Sequence, residues 1–65
     1  MKTRDFERLL TNAGFVLVRV NGHRIWSNGQ RHVAVTKDRT IHRGIARRIL
    51  KEIGYSEKVP ELNFG

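Results

Sequence analysis

Two Asn-Gly pairs set close together, Asn21-Gly22 and Asn28-Gly29, constrain this chain more than any other feature. A type I′ turn needs positive φ at both central residues, which Asn and Gly tolerate, so each pair predicts a tight antiparallel hairpin. The segments around them are short and rich in β-branched and aromatic residues. Phe15-Val16-Leu17-Val18-Arg19-Val20 precedes the first pair, His23-Arg24-Ile25-Trp26-Ser27 separates the two, and Arg31-His32-Val33-Ala34-Val35-Thr36 follows the second. The spacing therefore predicts a three-stranded antiparallel meander.

On either side of the meander the hydrophobic period becomes helical. Upstream, Phe6, Leu9, Leu10 and Ala13 fall on one stripe, with Thr3 as the expected N-cap and Asp5 and Glu7 in the first turn. Gly14 stands where a left-handed cap would stop this helix. Downstream, Ile41, Ile45, Ala46, Ile49, Leu50 and Ile53 make a second stripe, ended by Gly54. Its other side carries Arg43, Arg47 and Lys51 at four-residue spacing, with Arg48 alongside. Gly44 weakens the first turn of that helix, which points to a constraint other than propensity at that position. The expected architecture is α+β: an α-β-β-β-α chain whose three-stranded antiparallel sheet has two helices on one face. This is the order of a double-stranded-RNA-binding-like fold. The domain is expected over residues 1–54, followed by a tail, 55–65, holding Val59, Pro60, Leu62 and Phe64.

Two-residue turns would place Val20 opposite His23 and Ser27 opposite Gln30. Because side chains alternate across a sheet, one face would then hold Phe15, Leu17, Trp26, Val33 and Val35, with Arg19, Arg24 and Arg31 towards its ends. Its aromatic content favours it as the covered face. The other face would hold Val16, Val18, Val20, His23, Ile25, His32, Ala34 and Thr36, with His23 beside His32. Large apolar patches mark interaction surfaces, so Val16, Val18, Val20 and Ile25 are expected to meet a protein partner or a second copy of the chain. The tail folding back over them is the alternative.

Charge narrows the function. Thirteen Lys+Arg against six Asp+Glu give +7 over 65 residues, with a pI near 11.2. A small protein of one sign attracts polyanions, most often phosphate backbones. There is no cysteine, and the three histidines lack metal-ligand spacing, so no metal or cofactor is expected. Met1 to Asp5 leads into an amphipathic segment and no apolar run spans a membrane, so a cytoplasmic location is expected. Glu52 is the only carboxylate in the sequence of that helix, so Arg43, Arg47 and Lys51 are expected to suit a phosphate backbone, with Lys37 and Arg39 extending that track.

Thr3-Arg4-Asp5, then Gly14-Phe15, Arg19 and the stretch Asn21-Gly22-His23-Arg24-Ile25-Trp26 resemble the HicA toxins, which have a Gly-Ser-His motif and an aromatic three residues after the His. The second helix is similar through Ile41, Gly44, Arg47, Ile49, Leu50, Lys51 and Gly54. Gly22 stands where the family has Ser, and Val35-Thr36-Lys37 replaces a Pro-x-His. The resemblance covers about Lys2 to Gly54. It implies a metal-independent endoribonuclease that cleaves mRNA and is held inactive by a HicB-type antitoxin. His23 would then be the general base that takes the ribose 2′-hydroxyl proton, with Arg24, Arg43 or Arg47 stabilising charge on the phosphorus. His32 is read as structural or as a substrate contact, with an acid donating to the leaving oxygen as the alternative, and His42 as a capping-region side chain rather than a catalyst. The alternative is a non-catalytic RNA-binding or regulatory module of the same fold.

Overall fold

Glycine at the end of each helix turns the chain back onto the core. A computed structural model describes residues 1–55. Helix α1 spans Thr3–Asn12, followed by β1 (Val16–Asn21), β2 (His23–Ser27), β3 (His32–Val35) and α2 (Arg43–Glu52). After α1, Gly14 adopts φ +94°, and its N–H bonds the carbonyl of Thr11 at 3.0 Å while that of Phe15 bonds Leu10 at 2.9 Å. This paired closure swings Phe15 into the core beside Leu10. Gly54 and Tyr55 close α2 in the same way, on Lys51 and Leu50.

The strands form one antiparallel sheet in the order β1-β2-β3. Trp26, Val33 and Val35 sit on one face and are buried with Phe6, Leu9 and Leu10 of α1 and Ala46 and Leu50 of α2; Phe15 and Ile41 complete the cluster. Both helices therefore cover the same face, as the sequence pattern implies, and burying each large side chain contributes roughly 1.5–3 kcal/mol. Glu7 adds a polar tie between α1 and β2. Its Oε2 accepts from Trp26 Nε1 at 2.8 Å and from Arg24 Nε at 2.6 Å.

The hairpins depart from the expected geometry. At the first, Asn21 pairs with His23 and Gly22 alone separates them, one residue tighter than a type I′ turn. A β-bulge at Val18 absorbs the difference, so Leu17 still pairs with Trp26 and Val16 with Ser27. Between bulge and turn the faces are exchanged. Arg19 pairs with Ile25 on the open face, and Val20 joins Arg24 on the helix side. Leu17 shares the covered face but is 38% exposed, because no residue of the edge strand β1 is buried.

The second connection is a four-residue loop rather than a two-residue turn. The Asn28 side chain is the cause: its Oδ1 accepts the N–H groups of Gln30 and Arg31 at 2.9 and 2.8 Å, folding the chain locally. Ser27 then pairs with His32, not Gln30. A shift of two residues keeps every side chain on its face. It does, however, carry His32 away from His23.

Thr3 is not the N-cap of α1. It is the first helical residue, with Lys2 in the cap position making no side-chain cap bond. The Thr3 hydroxyl instead donates to the carbonyl of Asp38 at 2.7 Å, and its N–H to that of Arg39 at 2.9 Å. With Ile41 N–H bonding the Met1 carbonyl at 2.9 Å, the N-terminal segment is strapped across the loop before α2 as a short antiparallel bridge. The expected tail lies outside the described residues, Tyr55 apart.

Candidate functional site

His23 opens β2 on the face the helices leave uncovered. The pairing of Arg24 with Val35 sets Thr36, just past β3, across from His23, with Ala34 next along the strand. The chain then turns away: Thr36 Oγ1 accepts the Asp38 N–H at 3.1 Å, and the N-terminal strap holds the stretch from Asp38 to Ile41. His42 and α2 follow. The result is an open groove of about 350 Å³, with His23, Ala34 and Thr36 on the sheet side, Asp38, Thr40 and Ile41 from the loop, and His42 and Ile45 from the start of α2.

Two imidazoles, two hydroxyls and one carboxylate thus meet over a small apolar surface. Both histidines are exposed, so each ring is open to a ligand. His42 is the N-cap of α2, and its Nδ1 accepts the Gly44 N–H at 3.0 Å. A Cβ at position 44 would stand 3.2 Å from Nδ1 and Cε1 of that ring. That is closer than ordinary van der Waals contact, so any side chain at 44 would make the exposed ring give by a few tenths of an ångström. Ile45, expected in the buried stripe, is 45% exposed and lines the groove instead.

The basic residues separate into two groups. Lys37 and Arg39 are exposed and flank Asp38 in the loop; Arg43, Arg47 and Lys51 are exposed along α2, with Lys51 about 12 Å along the axis from Arg43. None of these five lines the groove itself; Lys37 and Arg39 are the chain neighbours of Asp38, and Arg43 is that of His42. Arg24 does not belong with them. It is half-buried, and its Nε donates to Glu7 on the helix side of the sheet.

His32 stands about 13 Å along the sheet from His23 and does not line the groove. Sequence reasoning recognised His42 as a capping side chain but not as a neighbour of His23 in a shared groove. Its only sequence signal was a His two residues before an out-of-place glycine at a helix start. Val16, Val18 and Val20 are 59, 53 and 51% exposed along β1, and Ile25 is half-buried. Among the described residues no group of three or more His, Cys, Asp or Glu side chains could hold a metal ion. No described helix is long and apolar enough to cross a membrane.

Residues 3–55 match the sequence model of one known family, the HicA toxin of bacterial toxin–antitoxin systems. Neither the curated proteins nor the solved structures contain a significant match to the chain.

Proposed function

Because this chain belongs to the HicA toxin family, we propose that it is an endoribonuclease that cleaves mRNA, with His23 as general base. The observation that carries the reading is the exposed His23 imidazole, held on a short hairpin at the side of an open groove. The strand fixes the backbone from which the ring projects, and the groove leaves the ring accessible to a flexible single strand.

In this reaction His23 takes the proton of a ribose 2′-hydroxyl, and the freed oxygen attacks the adjacent phosphorus. The bond to the 5′-oxygen breaks, leaving a 2′,3′-cyclic phosphate and a 5′-hydroxyl end. Lys37, Arg39, Arg43, Arg47 and Lys51 draw the backbone towards the groove and counter charge at phosphorus. The antitoxin, of HicB type, covers the exposed edge strand at Val16 and Val18 and reaches Ile25 on the open face, with Val20 on the helix side of the same edge; Val18→Asp should weaken its binding without slowing cleavage.

The test is induced expression of the wild type and of His23→Ala in bacteria, reading growth and transcript integrity together. Purified protein is then incubated with single-stranded RNA in a chelator. Growth arrest with fragmented mRNA and cyclic-phosphate ends, both abolished by His23→Ala, is the expected result. RNA left intact by the antitoxin-free protein would sink the proposal. Tight, salt-sensitive RNA binding in that case would establish the non-catalytic module instead.

A further inference from the structure

The groove holds a second imidazole whose proton position is set by the fold. His42 Nδ1 accepts the Gly44 N–H at 3.0 Å, and a ring nitrogen that accepts a hydrogen bond carries no proton. The tautomer assigned from this bond therefore puts the proton of the neutral ring on Nε2. Gly44 is part of the arrangement, since a Cβ there would stand 3.2 Å from two ring atoms, and the imidazole would have to shift by a few tenths of an ångström. His42 is thus an exposed, oriented donor in the same groove as His23.

We propose that His42 is a substrate-binding residue whose Nε2–H donates to a nonbridging oxygen of the phosphate attacked by the 2′-oxygen. The proposal rests on the ribonuclease reading above and adds a residue to it. The capping bond also defines what His42 does not do. To give a proton to the leaving 5′-oxygen the ring would have to start doubly protonated, and a protonated Nδ1 cannot accept from Gly44. The 2′-hydroxyl proton therefore passes to His23, the 2′-oxygen bonds phosphorus, the 5′-oxygen leaves and takes its proton from water, and His42 keeps its own. A fixed donor matters here because Asp38, the one carboxylate among the described residues that line the groove, repels the phosphate.

The experiment uses the full chain and two variants that separate capping from substrate contact. His42→Asn keeps a strong helix cap but is too short to replace the Nε2 donor. Gly44→Ala favours the helix while displacing the ring. Ring-nitrogen correlation spectra of the wild type should show Nε2 protonated and Nδ1 bare. Adding an all-deoxy oligonucleotide, which lacks the attacking hydroxyl, should shift the His42 ring signals.

RNA cleavage should fall about 10²-fold in kcat for His42→Asn, with the melting temperature nearly unchanged. Gly44→Ala should lower cleavage while melting no earlier than the wild type. Wild-type cleavage that His42→Asn matches overturns the role of His42 and leaves the ribonuclease reading intact. If the wild type cuts no RNA, the ribonuclease reading fails and the oligonucleotide titration still decides the matter: shifted His42 signals support the phosphate donor, and unshifted ones overturn it.

Discussion

Replacing Glu7 by Ala removes the acceptor that two side chains of β2 share. Trp26 is only 8% exposed, and its indole N–H finds its partner in Glu7 Oε2 at 2.8 Å. Leaving that buried donor unsatisfied costs about 1–3 kcal/mol. The Arg24–Glu7 ion pair adds less. The Glu7 side chain is 14% exposed but that of Arg24 is 35%, so solvent screening holds its share below about 1 kcal/mol. The expected loss is roughly 2–3 kcal/mol, against a total stability of about 3–10 kcal/mol for a chain of this length. The melting temperature should fall by roughly 10–20 °C.

Thermal unfolding followed by circular dichroism and by fluorescence of the single tryptophan, Trp26, measures this directly. Glu7→Gln keeps a carbonyl acceptor for the indole and should lose only the ion-pair share. A double-mutant cycle with Arg24→Ala isolates that share, and Arg24→Ala should lower stability while leaving RNA affinity unchanged well below its melting temperature. If Glu7→Ala stays within about 0.5 kcal/mol of the wild type, the clamp does not hold α1 to the sheet and the reasoning is wrong.

Three further outcomes are expected. Leu50→Ala opens a cavity under α2, at a residue 2% exposed, and should cost about 2–5 kcal/mol in urea unfolding; a loss below about 1 kcal/mol would contradict the core assignment. Asn28→Ala removes both side-chain bonds to the Gln30 and Arg31 amides. It should cost about 1 kcal/mol and speed hydrogen exchange at those two amides, whereas unchanged exchange would disprove the loop geometry. Arg47→Ala should leave folding untouched but weaken RNA binding and reduce the slope of log affinity against log salt by about 1; an unaltered slope would remove Arg47 from the RNA track.

The sequence alone determined the order of elements and most of the core, Ile45 and Leu17 apart, because both depend on neighbours along the chain. Phe6, Leu9 and Leu10 announce the buried stripe of α1 by spacing, Gly14 and Gly54 announce where the helices stop, and alternation places Trp26, Val33 and Val35 under them. Only the tertiary structure decided how the strands slide past one another. Each Asn-Gly pair permits several turns of similar energy, and the choice fell to distant or side-chain contacts: a one-residue reversal offset by a bulge at Val18, and a loop folded around the Asn28 amide. Those choices moved Arg19 to the open face and separated His32 from His23.

Arg24 reads as a surface cation until α1 brings Glu7 against it, a contact seventeen residues apart in the chain. The groove is the clearest case. His23 ends a hairpin and His42 caps a helix, each for local reasons visible in the sequence. They share one groove because strand pairing sets Thr36 across from His23 and the N-terminal strap holds the loop that leads to His42. No local pattern encodes that meeting, since it depends on bonds between Met1–Thr3 and Asp38–Ile41 that exist only in the folded chain.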